Sequence, residues 1–411
     1  MYDVYIVNIG SELTKGEIAN TNAAYISHEL SKRGLVVRSI LTCPDDFKHA
    51  VHSIENLLQQ SGIFIFTGGL GGTKDDITRQ IIAGALKKEL VLDKQKVNAL
   101  EQYYRERSRD FIDLDRMQAS FPAGGMLLEN VVGLAYGFYI RDKDRYIFSL
   151  PGVPREMKVM FDTRVITIIE EEALVNPSYC YEMIRFSDIS EYTLDRKIDS
   201  ILQEFPDLEY GTRASYGIIK VRVETSQGDL ESAVQTLIRE LHPFYINRGK
   251  EELPNALGGI LKKQNSTLAT AESCTGGFLS KVITDIPGSS EYYRGGVVAY
   301  SNDLKSSLLS VSTDTLSRFG AVSRQIAAEM AEGAAEISGS DLAVSTTGIA
   351  GPEGGTKQKP VGTVYIGLAA KGENTGVEEF HFRGDRDTIR IVSVNKALFM
   401  VFRHIGRQMG E

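Results

Sequence analysis

Short continuous apolar runs alternate with amphipathic stretches along most of this chain. Val4–Ile9 and Gly62–Thr67 lack the two-residue alternation of a half-exposed strand, so each reads as a strand covered on both faces. Between them Ala23, Ile26 and Leu30 recur at helical spacing and predict a helix over 20–32, ended by Gly34. Residues 35–41 read as the next strand and 47–60 as the next helix. The order strand, helix, strand, helix, strand predicts a parallel α/β sheet. Ligands in such sheets bind beyond the carboxyl ends of the strands, where the loops 10–17 and 67–76 are expected. Residues 77–88 and 94–109 follow as helices, the second charged and solvated. Residues 137–141 and 145–149 flank the turn Asp142-Lys143-Asp144 as a hairpin, and Pro151-Gly152-Val153-Pro154 opens a helix to about 172.

Asn176-Pro177 marks a boundary. The pattern over 175–250 is that of a small α+β module, with strands at 181–186, 208–211 and 216–224 and helices at 192–203 and 229–241. From 252 onward an amphipathic helix, Leu253–Lys263, leads to an apolar run before Ser273. Strands are expected at 341–347, 363–370 and 377–382, and helices at 326–337 and 386–407. Three segments result: 1–172, a parallel-sheet α/β domain; 175–250, the small module; and 252–411, a second α/β domain. Length agrees, because 411 residues exceed one ordinary core.

Composition narrows the class. A net charge of −8 and a pI near 5.5 argue against a general nucleic-acid binder. No apolar run reaches the ~18 residues a membrane helix needs, and Met1-Tyr2-Asp3-Val4 lacks the basic start of a secretory signal. Cys43, Cys180 and Cys274 are few and widely spaced, which fits a reduced, cytoplasmic protein without a disulfide framework or thiolate zinc site. The histidines lack the spacing of a zinc hydrolase.

Two Gly-rich stretches carry the candidate chemistry. Thr270-Ala271-Glu272-Ser273-Cys274-Thr275-Gly276-Gly277 lies between an apolar run and a helical pattern, and reads as strand, tight turn and helix start. Adjacent glycines let the backbone approach a ligand, and amides opening a helix favour negative charge. Ser273 and Cys274 are two potential nucleophiles in that field; Ser273 as a plain helix cap is the alternative. Earlier, Thr67-Gly68-Gly69-Leu70-Gly71-Gly72-Thr73-Lys74-Asp75-Asp76 follows a buried strand. Four glycines in five residues suggest a backbone approached by phosphate. Asp75 and Asp76 are candidate ligands of a divalent ion on that phosphate, or capping acids of the next helix. Glu12 is open to the same two readings.

Five ordered motifs, AESCTGG (271–277), GGVVAYSNDLK (295–305), STTGIAGPEGG (345–355), KPVGT (359–363) and FRGDRD (382–387), resemble the C-terminal domain of the CinA family, the nicotinamide mononucleotide (NMN) deamidases. TGGLGGTKDD (67–76) and Ser149-Leu150-Pro151-Gly152-Val153-Pro154 resemble the molybdopterin-binding, MoaB/MogA-like fold found at the N-terminus of that family. The resemblance implies a KH-like middle module, although no basic GxxG loop stands between the right elements for nucleic acid. It also implies a metal-dependent ADP-ribose pyrophosphatase in the first domain, using Mg²⁺ or Co²⁺, with or without K⁺. There the nucleotide would meet Gly10, Ser11, Glu12, Thr67, Gly68, Gly69, Gly71, Gly72, Thr73, Pro151 and Gly152.

In the last domain, hydrolysis of a carboxamide needs an activated nucleophile and an oxyanion hole. The motifs contain no histidine, so Ser273 is expected as nucleophile and Lys305 as its base, with Tyr300 assisting or positioning, and the resemblance carries the same Ser/Lys pair. Amides of Cys274, Thr275, Gly276 and Gly277, with those near Thr347 and Gly348, would hold oxyanion and substrate. Arg383, Arg386 and Arg390 are candidates for the nucleotide phosphate. No cofactor is expected there. The partners expected are the small nucleotides NMN and ADP-ribose and a second copy in a homodimer, without membrane or nucleic acid. The competing readings are a non-catalytic pterin- or nucleotide-binding first domain and a competence or DNA-damage accessory factor.

Overall fold

The computed structural model describes residues 2–408 and divides into two compact units, Met1–Cys180 and Tyr181–Glu411. In the first unit the strands are β1 (Val4–Ile9), β2 (Val37–Cys43), β3 (Gly62–Thr67), β4 (Leu90–Leu92), β5 (Ser120–Pro122), β6 (Met126–Leu128), β7 (Gly137–Asp142) and β8 (Arg145–Leu150). The helices are α1 (Ser11–Thr14), α2 (Thr21–Ser31), α3 (Phe47–Leu57), α4 (Thr78–Leu86), α5 (Lys94–Glu106), α6 (Asp113–Met117), α7 (Pro154–Met160) and α8 (Ile166–Glu171), with a π-helical turn, Phe161–Val165, between the last two. The main sheet runs β2-β1-β3-β8-β7-β6; its first four strands are parallel, and the β7–β8 hairpin and β6 extend it antiparallel.

β1 and β3 are buried at every position because helices cover both faces. Ile6, Ile63 and Ile65 join Ile26 and Leu30 of α2 and Met157, Met160 and Phe161 on one face. Val7, Phe64 and Phe66 join Ile54 of α3 and Ile81 and Ile82 of α4 on the other. Asn20 and Asp46 cap α2 and α3 by accepting from Ala23 N and His49 N. The stretch 10–17, read as loop, contains the one-turn α1. The expected helix to about 172 is one rod interrupted by its π turn.

The second unit continues with β9 (Cys180–Ser187), α9 (Glu191–Leu202), β10 (Glu209–Ser215), β11 (Ile218–Thr225), α10 (Leu230–Glu240) and β12 (Tyr245–Arg248). Its four strands form a sheet in the order β10-β11-β9-β12, packed on α9 and α10 through Ile184, Phe186, Leu194, Ile198, Val221 and Leu237. Then come α11 (Leu253–Lys263), β13 (Leu268–Glu272), α12 (Phe278–Thr284), β14 (Tyr293–Val298), α13 (Asn302–Leu309), α14 (Thr313–Phe319), α15 (Arg324–Ser338), β15 (Leu342–Gly348), β16 (Thr363–Ala370), β17 (Gly376–His381) and α16 (Arg386–Gln408).

The sheet order in this part is β14-β13-β15-β16-β17. The first three strands are parallel and the last two antiparallel. α11 and α16 pack on one face through Leu257, Leu261, Leu398 and Val401. α15 packs on the other through Ile326, Met330 and Ala334. The small module shares the first of these cores through Ile218 and Ile246. Lys396 and Arg403 of α16 both pair with Asp188. β13 is thus an interior strand parallel to both neighbours, and its carboxyl end delivers the chain to Ser273.

Candidate active site

Ser273 begins a five-residue turn between β13 and α12. Gly276 and Gly277 sit at φ of 58° and 89°, conformations that a side chain would strain. The turn is held from three sides. Ser273 N donates to Thr346 O at 2.9 Å, the hydroxyls of Thr275 and Thr346 lie 2.7 Å apart, and Arg390 Nη2 donates to Thr275 O at 2.8 Å.

Lys305 reaches this turn from α13, whose N-cap is Ser301. The side chain is buried, with the residue only 1% exposed. Its Nζ lies 3.0 Å from Ser273 Oγ and donates to Ala299 O at 2.8 Å. No carboxylate pairs with it among the described residues, and burial lowers the ammonium's pKa below the usual lysine value; the charge interaction with Cys274 opposes this only in part. The neutral amine has one lone pair and two protons. In the ammonium form Nζ donates to both Ser273 Oγ and Ala299 O; once neutral, with one proton on Ala299 O, it is within reach to accept the serine proton, as a general base must.

Cys274, the rival nucleophile, is buried at 7% exposure, and its thiol is pushed up to about 12, mainly by burial. A group held protonated in this way is a poor nucleophile at neutral pH. Its amide meets only its own sulfur, those of Thr275 and Gly277 donate to no acceptor among the described residues, and Gly276 N donates to Ser273 O at 3.2 Å. Three N–H groups that no other described residue takes therefore stand beside Ser273. The amides that start α12 are differently engaged: Leu279 N and Ser280 N donate to the Glu272 carboxylate at 3.0 and 2.8 Å. The Leu279 and Ser280 amides of α12 are thus taken by the protein itself, and the amides left for a ligand are those of the turn.

The other expected residues divide. Tyr300 is 62% exposed, and its hydroxyl accepts from Arg386 Nη2 at 3.1 Å; no hydrogen bond joins it to Ser273 or Lys305. Arg386 also donates to Gly351 O at 2.7 Å. Arg390 holds the turn, and Arg383 is exposed with no acceptor among the described residues. Thr347 Oγ1 donates to Ala321 O at 2.7 Å, and Gly348 pairs with Val364 in the sheet. His381 and His404 lie on β17 and α16, where they approach Glu379 and Glu373. Sequence reasoning missed Glu272. Its only signal is a carboxylate closing the short strand Leu-Ala-Thr-Ala.

The first unit gathers a second set of residues at the carboxyl ends of β1, β3 and β8. A cavity of about 80 Å³ is lined by Ile9, Glu12, Asn22, Thr67, Gly68 and Gly152 among others. The glycines of 67–76 are demanded largely by the protein itself. A Cβ on Gly68 would lie 2.2 Å from Ile9 O, and one on Gly69 would lie 2.3 Å from Thr78 Oγ1. On Gly71 it would meet Asp76, and on Gly72 Gln118 and Asp115. The amides of Gly69, Leu70, Gly71 and Gly72 nevertheless donate to no described acceptor. Ser11 N donates to Asp45 Oδ2 at 2.9 Å, Thr67 Oγ1 to Asn8 Oδ1 at 3.0 Å, and the Gly152 carbonyl after Pro151 accepts from Asn22 Nδ2 at 2.8 Å. Gly10 leads into α1 directly above β1.

Asp76 Oδ2 accepts from Thr73 N and Oγ1 at 2.8 and 2.6 Å, and Asp75 is exposed. Among the described residues no three His, Cys, Asp or Glu side chains stand together as an ion site. A divalent ion would therefore rest on Asp75, in part on Asp76, and on the ligand's own phosphate oxygens, an arrangement common for Mg²⁺. Arg79 was not foreseen. Only 1% exposed, it donates to the carbonyls of Leu70, Gln118, Ser120 and Tyr136 at 2.9–3.1 Å, and burial lowers its pKa to about 10. It braces the Gly-rich loop from beneath.

Fold and site together define an α/β protein with a Gly-rich loop at the strand ends of one unit and a serine–lysine pair at a strand end of the other. Residues 5–171 match the family model described as the probable molybdopterin binding domain, and 250–405 match the CinA C-terminal domain. A putative competence-damage inducible protein of Halothermothrix orenii is 37% identical over 410 residues, covering 97% of this chain and 98% of its own. One of Desulforudis audaxviator is 38% identical over 413 residues, covering 98% and 99%. A solved structure, the competence/damage inducible protein CihA of Agrobacterium tumefaciens, is 42% identical over 36% of this chain and 90% of its own, with a TM-score of 0.36. This chain belongs to the CinA family. Among the described residues no helix is long and apolar enough to cross a membrane.

Proposed function

We propose that the Ser273 site hydrolyses the carboxamide of nicotinamide mononucleotide, releasing ammonia and nicotinate mononucleotide. The observation that carries this reading is the buried Lys305 amine 3.0 Å from Ser273 Oγ, with open amides at the same turn. Neutral Nζ takes the hydroxyl proton as Oγ attacks the carboxamide carbon. The negative oxygen is met by the N–H groups of Cys274, Thr275 and Gly277. The Lys305 ammonium returns its proton to the departing nitrogen, ammonia leaves, and an acyl-serine remains. Water, deprotonated by the same amine, releases the carboxylate and restores the hydroxyl. Arg383, unengaged, supplies a guanidinium for the nucleotide phosphate, and Arg386 orients Tyr300 at the rim. Ser273→Ala is expected to abolish ammonia release from NMN. Undiminished release by that variant would overturn the assignment.

The first unit supports a second activity of the same chain, the cleavage of ADP-ribose to AMP and ribose 5-phosphate. The open amides of Gly69–Gly72 beside a cavity at the strand ends favour a diphosphate there. A divalent ion on Asp75 and Asp76 would spread the diphosphate's charge when bound, while Arg79 keeps the loop in shape. AMP release that is lost with Asp75→Ala supports turnover. Tight binding of ADP-ribose without AMP would make this unit a nucleotide- or pterin-binding module instead. The unpaired thiols of Cys43, Cys180 and Cys274 suit a cytoplasmic enzyme of pyridine-nucleotide salvage.

A further inference from the structure

We propose that Glu272 is a positioning residue of the Ser273 site: its carboxylate takes the opening amides of α12 and thereby sets the shape of the turn that carries the nucleophile. The inference rests on the amidase reading of that site.

Glu272 is the last residue of β13 and is fully buried. No lysine or arginine pairs with it among the described residues. A buried carboxylate without a cation is tolerated only where hydrogen bonds replace its water, and here three donors converge on it. Leu279 N and Ser280 N lie at 3.0 and 2.8 Å, and Ser280 Oγ at 2.5 Å. The chain from 272 to 279 is therefore closed on itself by one side chain, strand end to helix start, with Ser273 and the open amides inside the closure.

The closure is anchored in turn. The Ser280 hydroxyl lies 2.9 Å from Thr270 Oγ1 and 2.8 Å from Tyr293 Oη, and those two lie 2.6 Å apart. This cluster fills the space a side chain at 296 would need. A Cβ on Gly296 would stand 2.2 Å from Thr270 Oγ1 and 2.5 Å from Ser280 Oγ and Tyr293 Oη. Gly296, the second glycine of GGVV, thus makes room for the brace. Glu272 also touches the base through its main chain: its carbonyl accepts from Ala299 N at 2.9 Å, and the Ala299 carbonyl accepts from Lys305 Nζ.

Glutamine at 272 would set an NH₂ group against donors that now meet a carboxylate. The closure opens, and the amides of Cys274, Thr275 and Gly277 lose their fixed direction. Donors to an oxyanion act through being already in place, so the loss falls on the chemical step and spares ground-state binding.

The test uses the full-length chain and two readouts: steady-state ammonia release from NMN, and the rate and final extent of Ser273 labelling by a fluorophosphonate. Glu272→Gln is expected to lower kcat about 10- to 100-fold with KM within about two-fold, and to slow labelling in parallel while labelling still goes to completion. Ser280→Ala removes one donor of three and is expected to lose about 3- to 10-fold in both rates. A Glu272→Gln protein that labels at the wild-type rate, but only in a reduced fraction, would show a purely structural role and overturn the proposal. So would wild-type rates in both variants. If Glu272→Gln does not fold, a wild-type labelling rate in Ser280→Ala overturns it. If the wild-type chain labels at Ser273 yet releases no ammonia, the amidase reading falls, and the labelling rates alone decide the role of Glu272.

Discussion

Replacing Lys305 by methionine separates its chemical part from its structural one. The side chain is 1% exposed, and methionine fills a similar volume while removing the amine. A positioned general base is worth about 10²–10⁴ in rate, or roughly 3–5 kcal/mol of barrier at 1.36 kcal/mol per tenfold. Ammonia release from NMN should fall by about that factor, with KM little changed. In the wild type, activity depends on the neutral amine. kcat/KM should rise with pH and level off at a midpoint below the usual lysine value of ~10.4. In Lys305→Met that limb should vanish.

Stability should move in the same direction as activity. The unfolded chain binds a proton at 305 up to ~10.4 and the folded chain releases it earlier, so between the two midpoints the unfolded state holds more protons. Wild-type stability therefore rises with pH across that window. Below the window the folded protein carries the full cost of a buried ammonium. The difference in Tm between Lys305→Met and the wild type should accordingly shift in the wild type's favour as pH rises. Small primary amines added to Lys305→Ala should restore part of the activity. A Lys305→Met enzyme with near wild-type kcat and the same pH limb would refute the reasoning.

Two other expectations follow. Cys274→Ala should keep more than half of the wild-type ammonia release, and iodoacetamide should leave the folded enzyme active at neutral pH, since the thiol is buried and pushed up to about 12. Arg79→Met leaves the carbonyls of Leu70, Gln118, Ser120 and Tyr136 without their donor; it should lower stability in urea by about 3 kcal/mol or more and abolish AMP release from ADP-ribose, while ammonia release from NMN persists under conditions where the protein stays folded.

Part of the architecture was legible because several of its strands are mostly apolar. Val4–Ile9, Gly62–Thr67 and the run before Ser273 are buried on both faces, and burial on both faces writes an uninterrupted apolar run. β4, β5 and β6 went unread, because three residues show no period. The Ser273–Lys305 pairing came from ordered motifs and the absence of histidine in them. What joins it, the Nζ–Oγ approach across 32 positions, has no local signature.

Glu272 and Arg79 were missed for the same reason. Each is a charged residue whose burial is decided by partners elsewhere: amides seven and eight residues on for Glu272, carbonyls up to 57 residues away for Arg79. The glycines of 67–76 were read as a ligand's doing. Close approach by Ile9 and Thr78 explains Gly68 and Gly69 without one, so a Gly-rich loop alone could not distinguish a ligand from the protein's own backbone.

The account turns on a serine made reactive by an uncharged buried lysine. The most direct measurement is the rate of fluorophosphonate labelling against pH, with the modified residue located by peptide mass spectrometry, in the wild type and in Lys305→Met. The account predicts modification at Ser273, a rate that rises through a midpoint below the ordinary lysine range, and a slow, pH-independent reaction in the variant. Modification at Cys274, or identical pH profiles in the two proteins, would contradict it.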